Sequence, residues 1–339
     1  MEIPMMKYGV QSCHKIGELS EIAAARRAGN ELSRKLGFNE VKSGQLALLI
    51  TEAGTNIGKH AESGHIYIRS ISHLEMHGVE VIAVDSGPGM EDPTKNFEDG
   101  HSTAGTYGVG LGAIKRLANE VDIFSERGKG TVLVMIIWNT TELVPEFEWL
   151  VGSMCIPLAS EEICGDSWGI TSLDTNVHLL VADGLGHGPE AATASLLAVD
   201  ALLDNADKTP SRILQECHSK MKGSRGAAVA ISNIDTESNL LNFIGIGNIA
   251  GSIYSKTKRQ HLLSHNGIVG SNMHKTKEFV HDWSSDSILI MHSDGIGTKW
   301  DLDHYETLSE RHPSVIAAVL HRDHTRVRDD STIVVLKRA

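Results

Sequence analysis

A polar stretch at 139–145, which ends in Pro145, divides the chain of 339 residues into two parts that differ in predicted secondary structure. Before it, helical patterns alternate with pairs of strand-like runs. After it, strand-like runs predominate. Boundaries between domains fall in such polar, proline-containing segments, and a domain averages roughly 150 residues. We therefore expect two domains, at 1–139 and 147–339.

The first part alternates helices with strand pairs. Apolar residues recur at helical spacing over 19–36, up to Gly37, over 41–60 and over 109–119. Strand-like runs of apolar residues lie at 65–71, 79–84, 121–125 and 131–138. This order is typical of an α/β sandwich, and we expect a mixed sheet with helices on one face.

The second part is rich in strands. Strand-like runs lie at 177–182, 227–234, 240–246, 250–254, 287–292 and 331–337. Helical patterns lie at 188–205, 211–222 and 314–322. The pattern predicts a β-rich domain that carries several helices.

Charge and hydrophobicity exclude some partners. The chain has 43 acidic and 31 basic residues, a net charge of −12, which disfavours non-specific binding of nucleic acid. A phosphate-bearing ligand then needs magnesium or a nest of backbone amides. No apolar run reaches the roughly 18 residues that span a bilayer, and the first residues lack a signal-peptide pattern. We expect a cytoplasmic protein with no membrane partner.

Four motifs of the first part occur in an order that suits a nucleotide site. They are Glu52 with Asn56, the turn DSGPGM at 85–90, the loop GTYGVGLG at 105–112 and GKGT at 128–131. Residues four apart share one helical face, where a carboxylate and an amide oxygen can position a nucleophile and complete a magnesium shell. Glycines that lead into a helix direct N–H groups towards phosphates. Each motif alone is more often an ordinary turn, but the four together predict a nucleotide site.

The segments AARRAGNELSRKLGF, TEAGTNIGKHA, DSGPGM and EDGHSTAGTYGVGLGAIKRLANEVDIFSERGKGT carry a resemblance. Through them, residues 1 to about 138 resemble the GHKL (Bergerat) ATPase fold, in particular the switch-protein serine kinases of the RsbT and SpoIIAB type. The resemblance implies ATP or ADP with Mg²⁺, Glu52 as general base, Asn56 as magnesium ligand and Asp85 as adenine ligand. It places Arg26 on the helix that faces the protein substrate. Further implied cofactor contacts are Lys59, Gly87, Gly89, Met90, Thr103, Gly108, Gly110, Leu111, Gly112 and Thr131.

Acidic residues with glycine neighbours mark the second part. They are GDSW at 165–168, DGLGHG at 183–188, SDG at 293–295 and RDDST at 328–332. Clustered carboxylates at sheet ends repel one another unless cations bind them, and oxygen-only ligands suit magnesium or manganese. Any one of these aspartates is more often a turn former, whereas four together predict a metal site.

The string VADGLGHGPEAA carries the second resemblance. Residues 147–339 resemble the PPM family of metal-dependent protein serine/threonine phosphatases, in its SpoIIE and RsbX branch, with a β-sandwich flanked by helices. The resemblance implies two Mn²⁺ or Mg²⁺ ions. Its implied ligands are Asp183, which bridges both ions and is catalytic, the Gly184 carbonyl, Asp294, Asp329 and, on the other side, Asp166.

Three further features belong to the second part of the chain but carry weaker signals. Asp330, beside Asp329, is a weaker candidate, and the motif at 245–248 is interpreted as a strand and turn without a catalytic role. No arginine adjoins Asp166. Larger family members have an arginine at that position, and it holds the substrate phosphate. We therefore expect phosphate capture to depend mainly on the metals.

The two resemblances together imply a bifunctional regulator. A protein-serine kinase and a phosphoserine phosphatase would act on STAS-domain proteins, such as anti-sigma antagonists or stressosome components, in a partner-switching pathway. The alternative is a phosphatase whose first domain only senses ATP and docks an anti-sigma or STAS partner. The oligomeric state stays open, with a homodimer as one option. A histidine-kinase core fits poorly, since about 18 residues before the first helix leave no room for a phosphoacceptor hairpin.

Overall fold

The computed structural model describes residues 6–93, 110–140, 142, 144–255, 258–273 and 276–339. By the density of their contacts these residues form two units. The first unit contains Met6–Glu146 and Tyr305–Val319, and the second contains Phe147–His304 and Leu320–Ala339. The domain limits 1–139 and 147–339 stay predictions.

A six-stranded sheet forms the framework of the first unit. Its strands are β1 (Lys7–Tyr8), β2 (Ser12–Ile16), β3 (Gly64–His73), β4 (Met76–Asp85), β5 (Glu120–Glu126) and β6 (Gly130–Trp138). The order is β1-β3-β4-β6-β5, with β2 also paired to β3, and every described pair is antiparallel. The expected mixed sheet is therefore wrong. Short hairpin turns join β3 to β4 and β5 to β6, and such turns make neighbouring strands antiparallel.

Three helices of the first unit lie where the sequence predicts them. They are α1 (Leu19–Lys35), α2 (Glu40–His60) and α3 (Gly110–Leu117). The predicted glycine cap ends α1: Gly37 has φ of +72°, and the N–H of Phe38 donates to the Ser33 carbonyl at 3.0 Å. Glycine is favoured there because the left-handed conformation brings a Cβ atom close to the backbone. Asn39 then begins α2 by accepting from the Lys42 N–H at 2.8 Å.

The helices pack on one face of this sheet. Alternate residues of each strand point to one face, and on that face the core residues of the strands are Ile66, Ile68, Val79, Val81, Ala83, Leu133, Met135 and Ile137. The opposite face is also buried, because Arg69 and Glu80 on it are only 2% and 1% exposed. Ser314, from the Tyr305–Val319 segment of this unit, donates to Glu80 there at 2.6 Å. The expectation of helices on one face alone is thus incomplete.

Two antiparallel five-stranded sheets form the framework of the second unit. One has the order β14-β11-β10-β9-β8, from β8 (Asp166–Leu173), β9 (Asn176–Gly184), β10 (Ala227–Asp235), β11 (Leu240–Ile246) and β14 (Phe279–Asp282). The other has the order β13-β12-β15-β16-β7, from β7 (Trp149–Ile156), β12 (Ala250–Tyr254), β13 (Arg259–Leu262), β15 (Ile288–His292) and β16 (Ser331–Arg338). The predicted β-rich architecture is confirmed.

Helices accompany these sheets as predicted. They are α4 (Pro189–Leu203), α5 (Pro210–Lys220) and α6 (Pro313–His324). The chain of α6 begins in the first unit and continues at Leu320 into the second. Within the described ranges, no helix combines the length and the apolar character needed to cross a membrane.

Candidate functional site

The first candidate site centres on α2 and the start of α3. Glu52 and Asn56 are four residues apart on α2, so they share one face of the helix. Gly110 opens α3 directly against them, since a Cβ atom on Gly110 would lie 3.2 Å from Glu52 Oε2 and 3.4 Å from Asn56 Oδ1. The end of the glycine-rich loop and the two polar side chains therefore meet, as the motif order predicts.

Asp85 lies at the end of β4 in a fixed orientation. Its Oδ1 atom accepts from the N–H of Gly87 at 2.8 Å and from the N–H of Thr131 at 3.3 Å. Gly89 has φ of +66°, and a Cβ atom there would collide with the Glu126 carbonyl. The turn after β4 thus packs against the β5–β6 hairpin, which brings the second and fourth motifs together.

Ser125, on β5, joins the same two motifs and was not anticipated from the sequence. Its hydroxyl accepts from the Met90 N–H at 2.8 Å and lies 3.0 Å from the Thr131 hydroxyl. It also donates to the Gly130 carbonyl at 3.1 Å. A single serine within a strand gives no signal in the sequence, since its role depends on the pairing of β5 with β6.

The other predicted contacts of the nucleotide divide into groups. Lys59 is exposed in the last turn of α2. The side chains of Met90 and Leu111 pack against the hydrophobic core, and the Met90 N–H already donates to Ser125. Gly112 is buried within α3. Thr103 and Gly108 lie outside the described residues.

These residues fit ATP with Mg²⁺. Oxygen donors on Glu52 and Asn56 suit magnesium, and Gly110 leaves open the space that a side chain would fill. The first N–H groups of α3 have no partner within the helix and favour an anion. ATP bound there would supply a transferable phosphoryl group.

The second candidate site collects four aspartates of the second unit. Asp166 on β8 lies directly opposite Asp183 on β9 in the antiparallel register. Asp294 follows β15, and Asp329 precedes β16. A Cβ atom on Gly295 would collide with the Asp330 carbonyl, so these two turns are in close contact.

Two polar side chains hold the aspartates in place. Ser293 Oγ donates to Asp166 Oδ2 at 2.6 Å, and Asn248 Nδ2 donates to Asp294 Oδ2 at 2.6 Å. Asn248 also hydrogen-bonds Asp183 and thereby opposes the rise in its pKa. The interpretation of 245–248 as only a strand and turn misses this contact.

Burial, reinforced by mutual repulsion, dominates the electrostatics of this site. Burial, followed by the charges of Asp166, Asp294 and Asp329, raises the pKa of Asp183 to about 8. Burial likewise raises the pKa of Asp166 and of Asp329. The ion pairs formed between described residues include none of these four carboxylates.

This donor set fits Mg²⁺ or Mn²⁺, because it consists of oxygen atoms whose charge a divalent cation would offset. Within the described ranges, no three Asp, Glu, His or Cys side chains converge closely enough to hold one ion as they stand. The hydrogen bonds from Ser293 and Asn248 stabilise carboxylates that would otherwise repel one another. Bound cations would supply Lewis acidity towards a phosphoryl group.

Asp330 has a structural role. It is only 2% exposed, and its carboxylate accepts from the N–H of Leu158 at 2.8 Å and of Gly165 at 3.0 Å. Both oxygens are therefore occupied by backbone donors that fix the turn before Asp166. This agrees with its position as the weaker candidate for a metal ligand.

Comparison with known proteins relates each site to a family. Residues 17–137 match the family described as a histidine kinase-like ATPase domain, and residues 173–339 match stage II sporulation protein E (SpoIIE). Over 128 residues the chain is 38% identical to the serine/threonine-protein kinase RsbT of Bacillus subtilis (strain 168), which covers 38% of this chain and 96% of RsbT. Over 137 residues it is 28% identical to the phosphoserine phosphatase RsbX of the same organism, covering 40% of this chain and 69% of RsbX.

The chain joins an RsbT-type kinase domain to a SpoIIE-type PPM serine/threonine phosphatase domain. Two solved structures are similar to more than half of this chain. One, from a study of the bacterial stressosome as a modular system adapted to control secondary messenger signalling, has a TM-score of 0.53 at 27% identity and covers 56% of this chain and 100% of its own. Another, RsbX in complex with magnesium, has a TM-score of 0.52 at 25% identity and covers 58% of this chain and 99% of its own.

Proposed function

We propose that this protein is a bifunctional partner-switching regulator. Its first unit transfers phosphate from ATP to a protein serine, and its second unit removes phosphate from a phosphoserine with the help of Mn²⁺ or Mg²⁺. Similarity to a kinase and to a phosphatase in one chain supports the pairing. A cytoplasmic location is part of the proposal, because ATP is available there.

The contact of Gly110 with Glu52 and Asn56 carries the kinase proposal. It sets a carboxylate beside the helix start where phosphates bind, so that Glu52 can accept the proton of an incoming serine hydroxyl. A well-placed base contributes about 100- to 10,000-fold to such a transfer. Asn56 and Lys59 complete the proposed ATP contacts on the same helix.

A surface cavity lined by residues of α1 and α2 supports a protein as the substrate of the kinase. It has a volume of about 440 Å³ and is lined by Arg26, Val41, Leu48 and Thr51, among others. Val41 is 69% exposed and Leu48 is 52% exposed, so both offer apolar surface to a partner in this cavity. Thr51 lies in the same turn of α2 as Glu52, and a protein docked in this cavity is proposed to supply the serine.

The repelling aspartates carry the phosphatase proposal. Asp183 is proposed to bridge two cations, with Asp166, Asp294, Asp329 and the Gly184 carbonyl as further ligands. RsbX, with a similar fold, has been solved with magnesium. STAS-domain proteins of an anti-sigma or stressosome pathway are the proposed substrates of both units, and a homodimer remains part of the proposal to be tested.

The kinase half is tested with the full chain, labelled ATP, Mg²⁺ and a cognate STAS-domain protein. The Asp183→Asn background prevents removal of the product. We expect label on a serine, and Glu52→Ala to lower its transfer by about 100- to 10,000-fold with ATP affinity retained. Glu75→Ala, an exposed carboxylate in the β3–β4 turn, is the matched control. ATP binding without transfer would favour the ATP-sensor alternative.

The phosphatase half is tested with a phosphoserine STAS protein and Mn²⁺. We expect Asp183→Asn to reduce hydrolysis to background while ATP affinity is unchanged. Asp174→Asn, at the other end of the β8–β9 hairpin, is the control and should keep wild-type activity. Full activity in Asp183→Asn would remove Asp183 from the mechanism.

A further inference from the structure

Arg225 lies against the turn that follows Asp183. In the antiparallel register Gly184 pairs with Ala227, and the Leu185 N–H donates to the Gly226 carbonyl at 3.0 Å. One step further along both strands, Arg225 therefore comes opposite Gly186. A Cβ atom on Gly186 would lie 2.9 Å from Arg225 Nη1, so the guanidinium rests on this turn.

The backbone around Arg225 is rigid. Ser224 Oγ donates to the Met221 carbonyl at 2.7 Å and accepts from the Gly226 N–H at 3.1 Å. Gly226 has φ of +82°, and its backbone packs against Val269. The base of the Arg225 side chain is thus fixed beside the aspartate site.

The guanidinium itself is easily recruited by another anion. Arg225 pairs with Glu190, and the two side chains are 47% and 71% exposed. An ion pair this exposed contributes little to stability. A phosphate dianion also offers a planar guanidinium two charge-assisted hydrogen bonds and carries more negative charge than a carboxylate, so it can compete with Glu190 for Arg225.

The negative charge of the aspartate site opposes the binding of a phosphate, and Arg225 can offset part of it. None of the four aspartates of the proposed site is in an ion pair between described residues, and only the charge of His187 lowers the pKa of one of them, Asp329. Divalent cations offset the carboxylates, but a phosphoserine brings two further negative charges. Arg225 is an arginine that the fold fixes against the turn after Asp183.

We propose that Arg225 binds the phosphoryl oxygens of the phosphoserine substrate and competes for them with Glu190. This inference rests on the proposed phosphatase function. It differs from the expectation that phosphate capture depends mainly on the metals, because Arg225, which lies just before β10, would share this role.

The test uses the full chain with Mn²⁺ and measures both kinetics and binding of inorganic phosphate by calorimetry. We expect Arg225→Ala to raise the KM for a phosphoserine peptide and the Kd of phosphate by about 10- to 100-fold, with a smaller change in kcat. Arg225→Lys should give KM and Kd values between those of the wild type and Arg225→Ala, because an ammonium cannot bind bidentately. Arg212→Ala, an exposed arginine on α5, should behave as wild type.

Glu190→Gln distinguishes binding from a structural role. Removing the competing carboxylate should lower the Kd of phosphate, whereas a purely structural ion pair would make this variant resemble Arg225→Ala. Unchanged Kd and KM in a folded Arg225→Ala protein would overturn the inference while leaving the phosphatase function intact. A wild-type chain that neither hydrolyses phosphoserine nor binds phosphate would overturn both.

Discussion

His178 lies on β9, a strand with neighbours on both sides, and is only 2% exposed. Its Nε2 atom lies 3.1 Å from the Lys208 carbonyl, and its Nδ1 atom has no hydrogen-bond partner among the described residues. Burial lowers the pKa of this imidazole from 6.5 to about 4. The folded protein therefore keeps His178 neutral at a pH where the unfolded chain protonates it.

This shift predicts a loss of stability in mild acid. Between pH 6.5 and 4 the unfolded state binds the extra proton, so the free energy of unfolding falls as the pH falls, by up to about 3 kcal/mol. Urea unfolding at several pH values should show a smaller loss in His178→Gln. His304→Gln, at an exposed histidine, should keep the wild-type pH dependence. If the free energy of unfolding fell equally with pH in all three proteins, the effect would not come from His178.

At single positions, the sequence indicates candidates for the chemistry more readily than the residues that would orient them. Glu52, Asn56 and Asp183 stand in motifs whose residue types have a direct chemical use. Ser125 and Asn248 do not, because each acts through partners that only strand pairing brings near. Arg225 belongs with them, since its relation to Gly186 follows from the register of β9 and β10.

At the scale of elements, the start of α6 covers part of the second face of the first unit's sheet. Ser314 is fully buried and donates to Glu80, which pairs with Arg69 at 2.5 Å. We expect Ser314→Ala to lower the free energy of unfolding by about 1–3 kcal/mol, because Glu80 loses a donor inside the protein. Ser219→Ala, exposed near the end of α5, is the control for denaturant unfolding. Equal stability in the two variants would refute the role of this hydrogen bond.

In the second unit the sequence predicts the strands inside the sheets but not the strands at their edges. The four strands of the second unit that the sequence did not indicate are β7, β8, β13 and β14, and each lies at an edge of its sheet. An edge strand has a neighbour on one side only and is often short and mixed in polarity, so it lacks a continuous apolar run. β13 and β14 have only four residues each.

At the scale of the whole molecule, the chain order of the two parts does not coincide with the contact units. His312 donates through its N–H to Asp122 at 2.6 Å, and the Tyr305 ring lies 6.3 Å from that of Phe124. No local pattern indicates that 305–319 belongs with a sheet made of residues nearly 200 positions earlier, since such an assignment depends on tertiary packing.

A fragment that ends at residue 146 should therefore be less stable than the same residues in the full chain. Its Glu80 and Asp122 lose the donors supplied by 305–319. Hydrogen–deuterium exchange should show weaker protection of β4 and β5 in the fragment, and joining residues 305–319 through a flexible linker should restore it. Equal protection in fragment and full chain would show that this segment is dispensable.

The late position of Tyr305–Val319 in the chain also affects how the first unit folds during synthesis on the ribosome. About 170 residues separate Glu146 from Val319, which corresponds to roughly 10 to 30 s of translation. During that interval the nascent first unit has its helices in place but one face of its sheet still uncovered. Chaperones that bind apolar surfaces have this window to act, and a ribosome that stalls before residue 319 would leave behind an aggregation-prone chain.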